Sequence, residues 1–200
     1  MTWTDPRTWV TDEVVTSALL NTHLRDNLKA ISHPYDVNYT DVDVVSTATE
    51  TTVYSKTITG GDMGANGSLE LLVLGDHMMN NSTLDTVTLR VKWGGSTVFT
   101  GSGGTNTINA NRDGSGVHLW IVNKGSTSSQ IMVCGMAVGM VTGGATGSVG
   151  RGGVGIGGLP ATAAVDTTSS QTLQVTAQWS AASANNSWRK RLAILYLGQN

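Results

Sequence analysis

Two hydrophobic periods divide this chain. From Thr16 to Ile31 the apolar residues Leu20, Leu24, Leu28 and Ile31 recur at helical spacing, while Asn21, Thr22, Arg25, Asp26 and Lys29 fall mostly elsewhere. The pattern predicts one amphipathic helix. Thr16 is its N-cap and Ser32-His33-Pro34 its stop, because the residue before proline is pushed out of the α region. Such a helix is about 22 Å long. It is marginal alone in water, and burial of its stripe would contribute on the order of 8 kcal/mol. The stripe therefore predicts a docking surface, either on the chain's own domain or on another subunit. Ahead of it, Trp3, Pro6, Trp9 and Val10 form an aromatic-rich extended stretch too short for a core of its own. Exposed tryptophans of this kind find pockets.

After about Tyr35 the period becomes two. Val87, Leu89, Val91 and Trp93 alternate with Thr86, Thr88, Arg90 and Lys92, the pattern of a strand with one buried and one wet face. Leu173, Val175, Ala177 and Trp179 repeat it against Gln174, Thr176 and Gln178. Less regular strand candidates run from Val42 to Ser46, Thr52 to Ile58, Leu69 to Gly75, Thr97 to Thr100, Val117 to Asn123, Gln130 to Val141 and Arg191 to Leu197. Turn signals separate them at Gly60-Gly61, Asn66-Gly67, Gly94-Gly95, Asp113-Gly114 and Lys124-Gly125.

Several short strands without a second helical pattern predict a mainly β fold. The simplest form is an antiparallel jelly-roll sandwich carrying an N-terminal extended arm and one α-helix, with an up-and-down barrel as its competitor. The organisation that follows is an anchor, 1–34, and a β domain, 35–200. Leu69 to Leu74 and Leu192 to Leu197 read as apolar on both faces, which predicts central strands covered twice or a face covered by a neighbouring subunit. A glycine-rich stretch at 143–158 is unsuited to helix or regular strand. It predicts a loop that is either a mobile surface excursion or one whose Val149, Val154 and Ile156 bury against a partner.

Composition sharpens the picture. A chain of 200 residues with net charge -2 lacks the electrostatic footprint of a nucleic-acid binder. Only 13% of residues are charged, so protein partners are the expectation. The single Cys134 lies in an apolar run and reads as a buried thiol. No basic start with an apolar stretch and no long apolar run appears, which leads to an expectation of synthesis in a cytoplasm, with neither a secretion signal nor a membrane span.

Motifs for chemistry are weak. Gly153, Gly155 and Gly158 spell G-x-G-x-x-G, but Leu159-Pro160 follows where a helix would have to begin. His23, His33, His77 and His118 are far apart and have no zinc-ligand spacing, and Asp36, Asp41 and Asp43 lack the calcium-loop pattern and read as a solvated connector. No serine sits in G-x-S-x-G. Trp188-Arg189-Lys190-Arg191 is the one basic patch and reads as a gatekeeper beside the last strand or a partner for acidic surface rather than a nucleic-acid platform. The expectation is a non-enzyme without metal or cofactor.

The segment Thr8-Trp9-Val10-Thr11-Asp12-Glu13-Val14-Val15-Thr16-Ser17-Ala18-Leu19-Leu20-Asn21-Thr22-His23-Leu24-Arg25-Asp26-Asn27-Leu28 resembles the N-terminal stretch of many tailed-bacteriophage virion proteins. A looser likeness continues through Leu69 to Gly75 and Leu89 to Val98, similar to a strand and turn of the jelly-roll domains in such proteins. The resemblance implies a virion structural role, with an N-terminal anchor on the particle and an exposed β domain that forms homotrimers. Within that class a capsid decoration (cement) protein on the major capsid protein or another virion protein comes first. A tail or head fibre adhesin for a host glycan or protein comes second, and a carbohydrate-active enzyme a distant third. The expected interface residues are Trp3, Trp9, Val10, Leu20, Leu24, Leu28, Val154 and Ile156.

Overall fold

A computed structural model of the chain describes residues 8–26, 33–80, 85–103, 109–138 and 160–198. One short helix, α1 (Ser17–Leu20), continues into a π-helical turn, Asn21–Asp26. Strands follow in the order β1 (Asp36–Asn38), β2 (Val42–Val45), β3 (Thr51–Ile58), β4 (Ser68–Met79), β5 (Val87–Trp93) and β6 (Ser96–Gly103). After them come β7 (Asn109–Asn123), β8 (Gln130–Val138), β9 (Ala161–Ala163), β10 (Gln171–Trp179) and β11 (Asn186–Gly198). All strand pairs are antiparallel. A large sheet has the order β1-β11-β4-β7-β8-β9 with β2 also on β11, and a small sheet has the order β3-β10-β5-β6.

The alternating strands fold as their pattern dictates. Val87, Leu89, Val91 and Trp93 are buried along β5 while Thr88, Arg90 and Lys92 stay half-exposed, and β10 repeats this with Leu173, Val175, Ala177 and Trp179. These side chains meet Leu69, Leu71 and Val73 of β4 and Leu119 and Ile121 of β7 in one continuous core. The result is a two-layer β sandwich. Trp179 joins the layers by donating its indole N–H to the Val44 carbonyl at 3.1 Å. Gly94 and Gly95, both at positive φ (57° and 83°), make the two-residue turn that brings Trp93 opposite Ser96.

Chain order and pairing are nested: β2 lies on β11, β3 on β10, β4 on β7 and β5 on β6. Two separate sheets form, and not a closed barrel.

Three expectations need correction. Of the helix expected from Thr16 to Ile31, the described residues are α-helical over Ser17–Leu20 and π-helical over Asn21–Asp26, and residues 27–31 lie outside the described residues. Thr16 caps it as anticipated, accepting from the Leu19 N–H at 3.3 Å. Beyond Leu20, Asn21, Thr22 and His23 are poor helix formers and no packed face holds the α register, so the backbone widens into the π turn. The second correction concerns Asp113-Gly114, which is no turn but lies inside β7, because β4 runs on to Met79 and pairs with it there. The third concerns β11, which starts at Asn186 and absorbs the basic patch. A bulge between Lys190 and Leu192 switches its inward set from Asn186, Trp188 and Lys190 to Ala193 and Leu195.

The two outer faces differ in kind. That of the small sheet carries Ser55, Thr88, Arg90, Gln174 and Gln178. That of the large sheet carries Leu72 and Leu74, Ile194 and Tyr196, and Trp120 and Val122. The double apolar character expected of β4 and β11 is therefore present, and its second face points outward.

Candidate attachment surface

The arm has its own local logic. Asp12 takes a left-handed conformation, φ 64°, at a tight turn closed by the Glu13 N–H donating to the Val10 carbonyl at 3.2 Å. The Glu13 carboxylate accepts from the Val10 N–H at 3.3 Å. This reversal sends the chain back so that the Trp9 ring meets the edge of His23, with centroids 6.4 Å apart and planes at 77°. Among element pairs that pack substantially, the helical turns pair with each other and with no strand. No residue of α1 is buried.

Four of the expected interface residues lie in this described arm, and all are exposed: Trp9, Val10, Leu20 and Leu24. Trp3, Leu28, Val154 and Ile156 lie outside the described residues, as does the glycine motif at 153–158. The arm also exposes Val14 at 79%, more than either leucine that drew attention, and Val15 at 50%. Reading the stripe from Leu20 onward passed over them. The signal available was two consecutive valines just before the N-cap, where no helical period includes them. Each such side chain contributes about 1.5–3 kcal/mol when buried, so the arm holds much unused apolar surface.

The remaining candidates are absorbed by the fold. The supposed solvated connector is paired: Asp36 accepts from the Tyr54 hydroxyl at 3.0 Å and from Lys56 Nζ at 2.8 Å. Asp41 accepts from Arg191 at 2.6 Å, and Asp43 pairs with Arg189. Asp76 takes Arg112 and also Arg191, the latter at 2.8 Å. In the basic patch, Trp188 is fully buried and donates to Ser115 Oγ at 2.6 Å, so no aromatic is offered to a base. Lys190 is buried too. Burial pushes the Cys134 thiol up to about 12, which leaves it unreactive at neutral pH. Among the described residues no group of three or more His, Cys, Asp or Glu side chains is placed to hold a metal ion. No described helix is long and apolar enough to cross a membrane.

No family model matches the chain, and comparison with curated proteins finds no match. Function is therefore argued from the arm and the sandwich.

Proposed function

We propose that this chain is a structural subunit of a tailed-bacteriophage virion, and within that class a capsid decoration protein. The observation that carries the reading is an apolar arm standing apart from a finished core. Val10, Val14 and Leu24 are exposed, while among the described residues the buried core side chains lie between Val44 and Leu195. Such a segment lowers its free energy only against another body. The resemblance of residues 8–28 to the N-terminal stretch of virion proteins suggests that body: the major capsid protein or another protein of the particle.

The finer reading of the β domain as a jelly roll is supported by the nested pairs. They place β2-β11-β4-β7 in one sheet and β3-β10-β5-β6 in the other, as two four-stranded sheets of a rolled hairpin would, with β1, β8 and β9 added to the first.

Cohesion is the activity on this reading. A subunit that binds only assembled shell stabilises it by RT ln(1 + [L]/Kd) per site, multiplied over many sites. Particles stripped of the protein are expected to break at lower temperature or in lower salt than complete ones, and re-addition restores them. Stripped particles as robust as complete ones would sink the cement role, and saturable binding of the isolated chain to host cells would select the fibre adhesin instead.

A further inference from the structure

We infer that the outer face of the large sheet is an interface between copies of this chain. Cross-strand register lays out its rows: Val37, Ile194, Leu72 and His118 stand side by side, then Tyr196, Glu70, Trp120 and Val133. Leu74 and Tyr196 are 42% and 46% exposed. The small sheet's outer face is polar, so the chain keeps one face wet and leaves the other apolar.

Area and charge select the occupant. Strands spaced about 4.8 Å apart from β1 to β8, over the length from Ser68 to Leu74, give a projected area of roughly 550 Å². Side-chain relief raises the accessible area toward the roughly 800 Å² per partner that a standard interface buries, and the largest patch on a typical monomer is about 300–600 Å². The centre holds one pair, Glu70 with His118 at 2.7 Å. Along one end Asp41, Asp43 and Asp76 meet Arg112, Arg189 and Arg191. Both signs are therefore matched within the face. A partner of strong opposite charge gains nothing here, whereas an identical copy meets no net like-charge repulsion. Apolar rows around one central polar pair, with a balanced polar rim, have the anatomy of an association surface.

This inference stands apart from the particle assignment and is tested without particles. Sedimentation of the full chain at tens of micromolar is expected to give two or three times the monomer mass. Leu74→Lys with Tyr196→Lys should weaken self-association at least tenfold and give monomer with unchanged circular dichroism, since both side chains are already exposed. Leu20→Lys with Leu24→Lys in the arm should leave the oligomer intact. A monomeric wild-type chain would overturn the inference, because some segment of the same chain would then cover the face. An oligomer that survives the sheet substitutions but falls apart on the arm substitutions would overturn it as well.

Discussion

His77 on β4 stands directly across the ladder from Asp113 on β7, and neither ring nitrogen of this buried imidazole has a hydrogen-bond partner among the described residues. Burial holds its pKa below the ordinary 6.5, with Arg112 adding to the effect while Asp113 and Asp76 oppose it. The unfolded chain therefore takes up a proton near pH 6.5 that the folded chain resists. Stability is fully present above that pH and falls as pH drops below it. The melting midpoint is expected to decrease between pH 7.5 and 5.5, and His77→Leu should flatten that decrease. Equal slopes for the two proteins would show that folded His77 takes up its proton as readily as the unfolded chain does. Asp76 acts in a separate window. Burial raises its carboxyl, but hydrogen bonds from Arg191 and Arg112 bring the balance below 3.8, so its contribution is lost only as pH falls beneath that value.

Trp93 and Trp179 form a matched pair for measuring one hydrogen bond. Both are buried in the same core, yet the Trp179 indole N–H reaches the Val44 carbonyl, whereas that of Trp93 has no partner among the described residues. Phenylalanine removes similar bulk at each. At Trp179 it also removes the hydrogen bond to the Val44 carbonyl, and at Trp93 it removes a donor that had no acceptor among the described residues. Trp179→Phe is expected to be more destabilising than Trp93→Phe by roughly 1–2 kcal/mol in urea unfolding with equal m-values.

The parts of the fold legible in the sequence are those where one local rule acts alone. β5 and β10 alternate cleanly because each has one buried face and one wet one, and Gly94-Gly95 supplies the positive φ that a two-residue hairpin demands. Legibility fails where distant chain decides. The bulge at Lys190 to Leu192 breaks the period of β11, so Trp188 and Lys190 read as an exposed basic patch although both point inward. β1 and β9 are too short for any period and exist because β11 and β8 offer them an edge. Asp41, Asp43 and Asp76 find their arginines across strands far apart in sequence, which spacing cannot reveal. In the arm, Trp9 and Leu24 were visible as apolar positions in want of a partner, and Val14 and Val15 were not.

Lys190 is fully buried, and its ammonium donates to Asn38 Oδ1. Burial depresses its pKa while Asp41 and Asp36 push it back up. A buried cation with one neutral acceptor is held at a desolvation cost that an apolar side chain of similar volume avoids. Lys190→Met is expected to be neutral or to stabilise the domain. Asn38→Ala keeps the ammonium but removes its acceptor, and should cost about 1–3 kcal/mol. Thermal unfolding of the two variants checks the ordering, and a Lys190→Met variant less stable than Asn38→Ala would show that the charge itself holds β11 against β1.

Removal of the arm separates attachment from folding. Tyr35 is tied into the β domain, its hydroxyl donating to Asp62 at 2.9 Å, and among the described residues the buried core runs from Val44 onward. Deletion of residues 1–31 should therefore move the melting midpoint by no more than about 2 °C, equivalent to less than about 1 kcal/mol in a domain of this size. Particle binding should be lost. Leu20→Lys with Leu24→Lys makes the same test with the chain intact: both leucines are exposed in the free protein, so folding is untouched. At about 2 kcal/mol for each leucine buried on attachment, affinity for the particle should fall on the order of a thousandfold. Co-sedimentation of the chain with particles measures both effects. A truncated chain that binds as tightly as the whole one would mean that the arm is only an unpacked terminus and that attachment resides on the sandwich, where the apolar face of the large sheet would be the surface to examine.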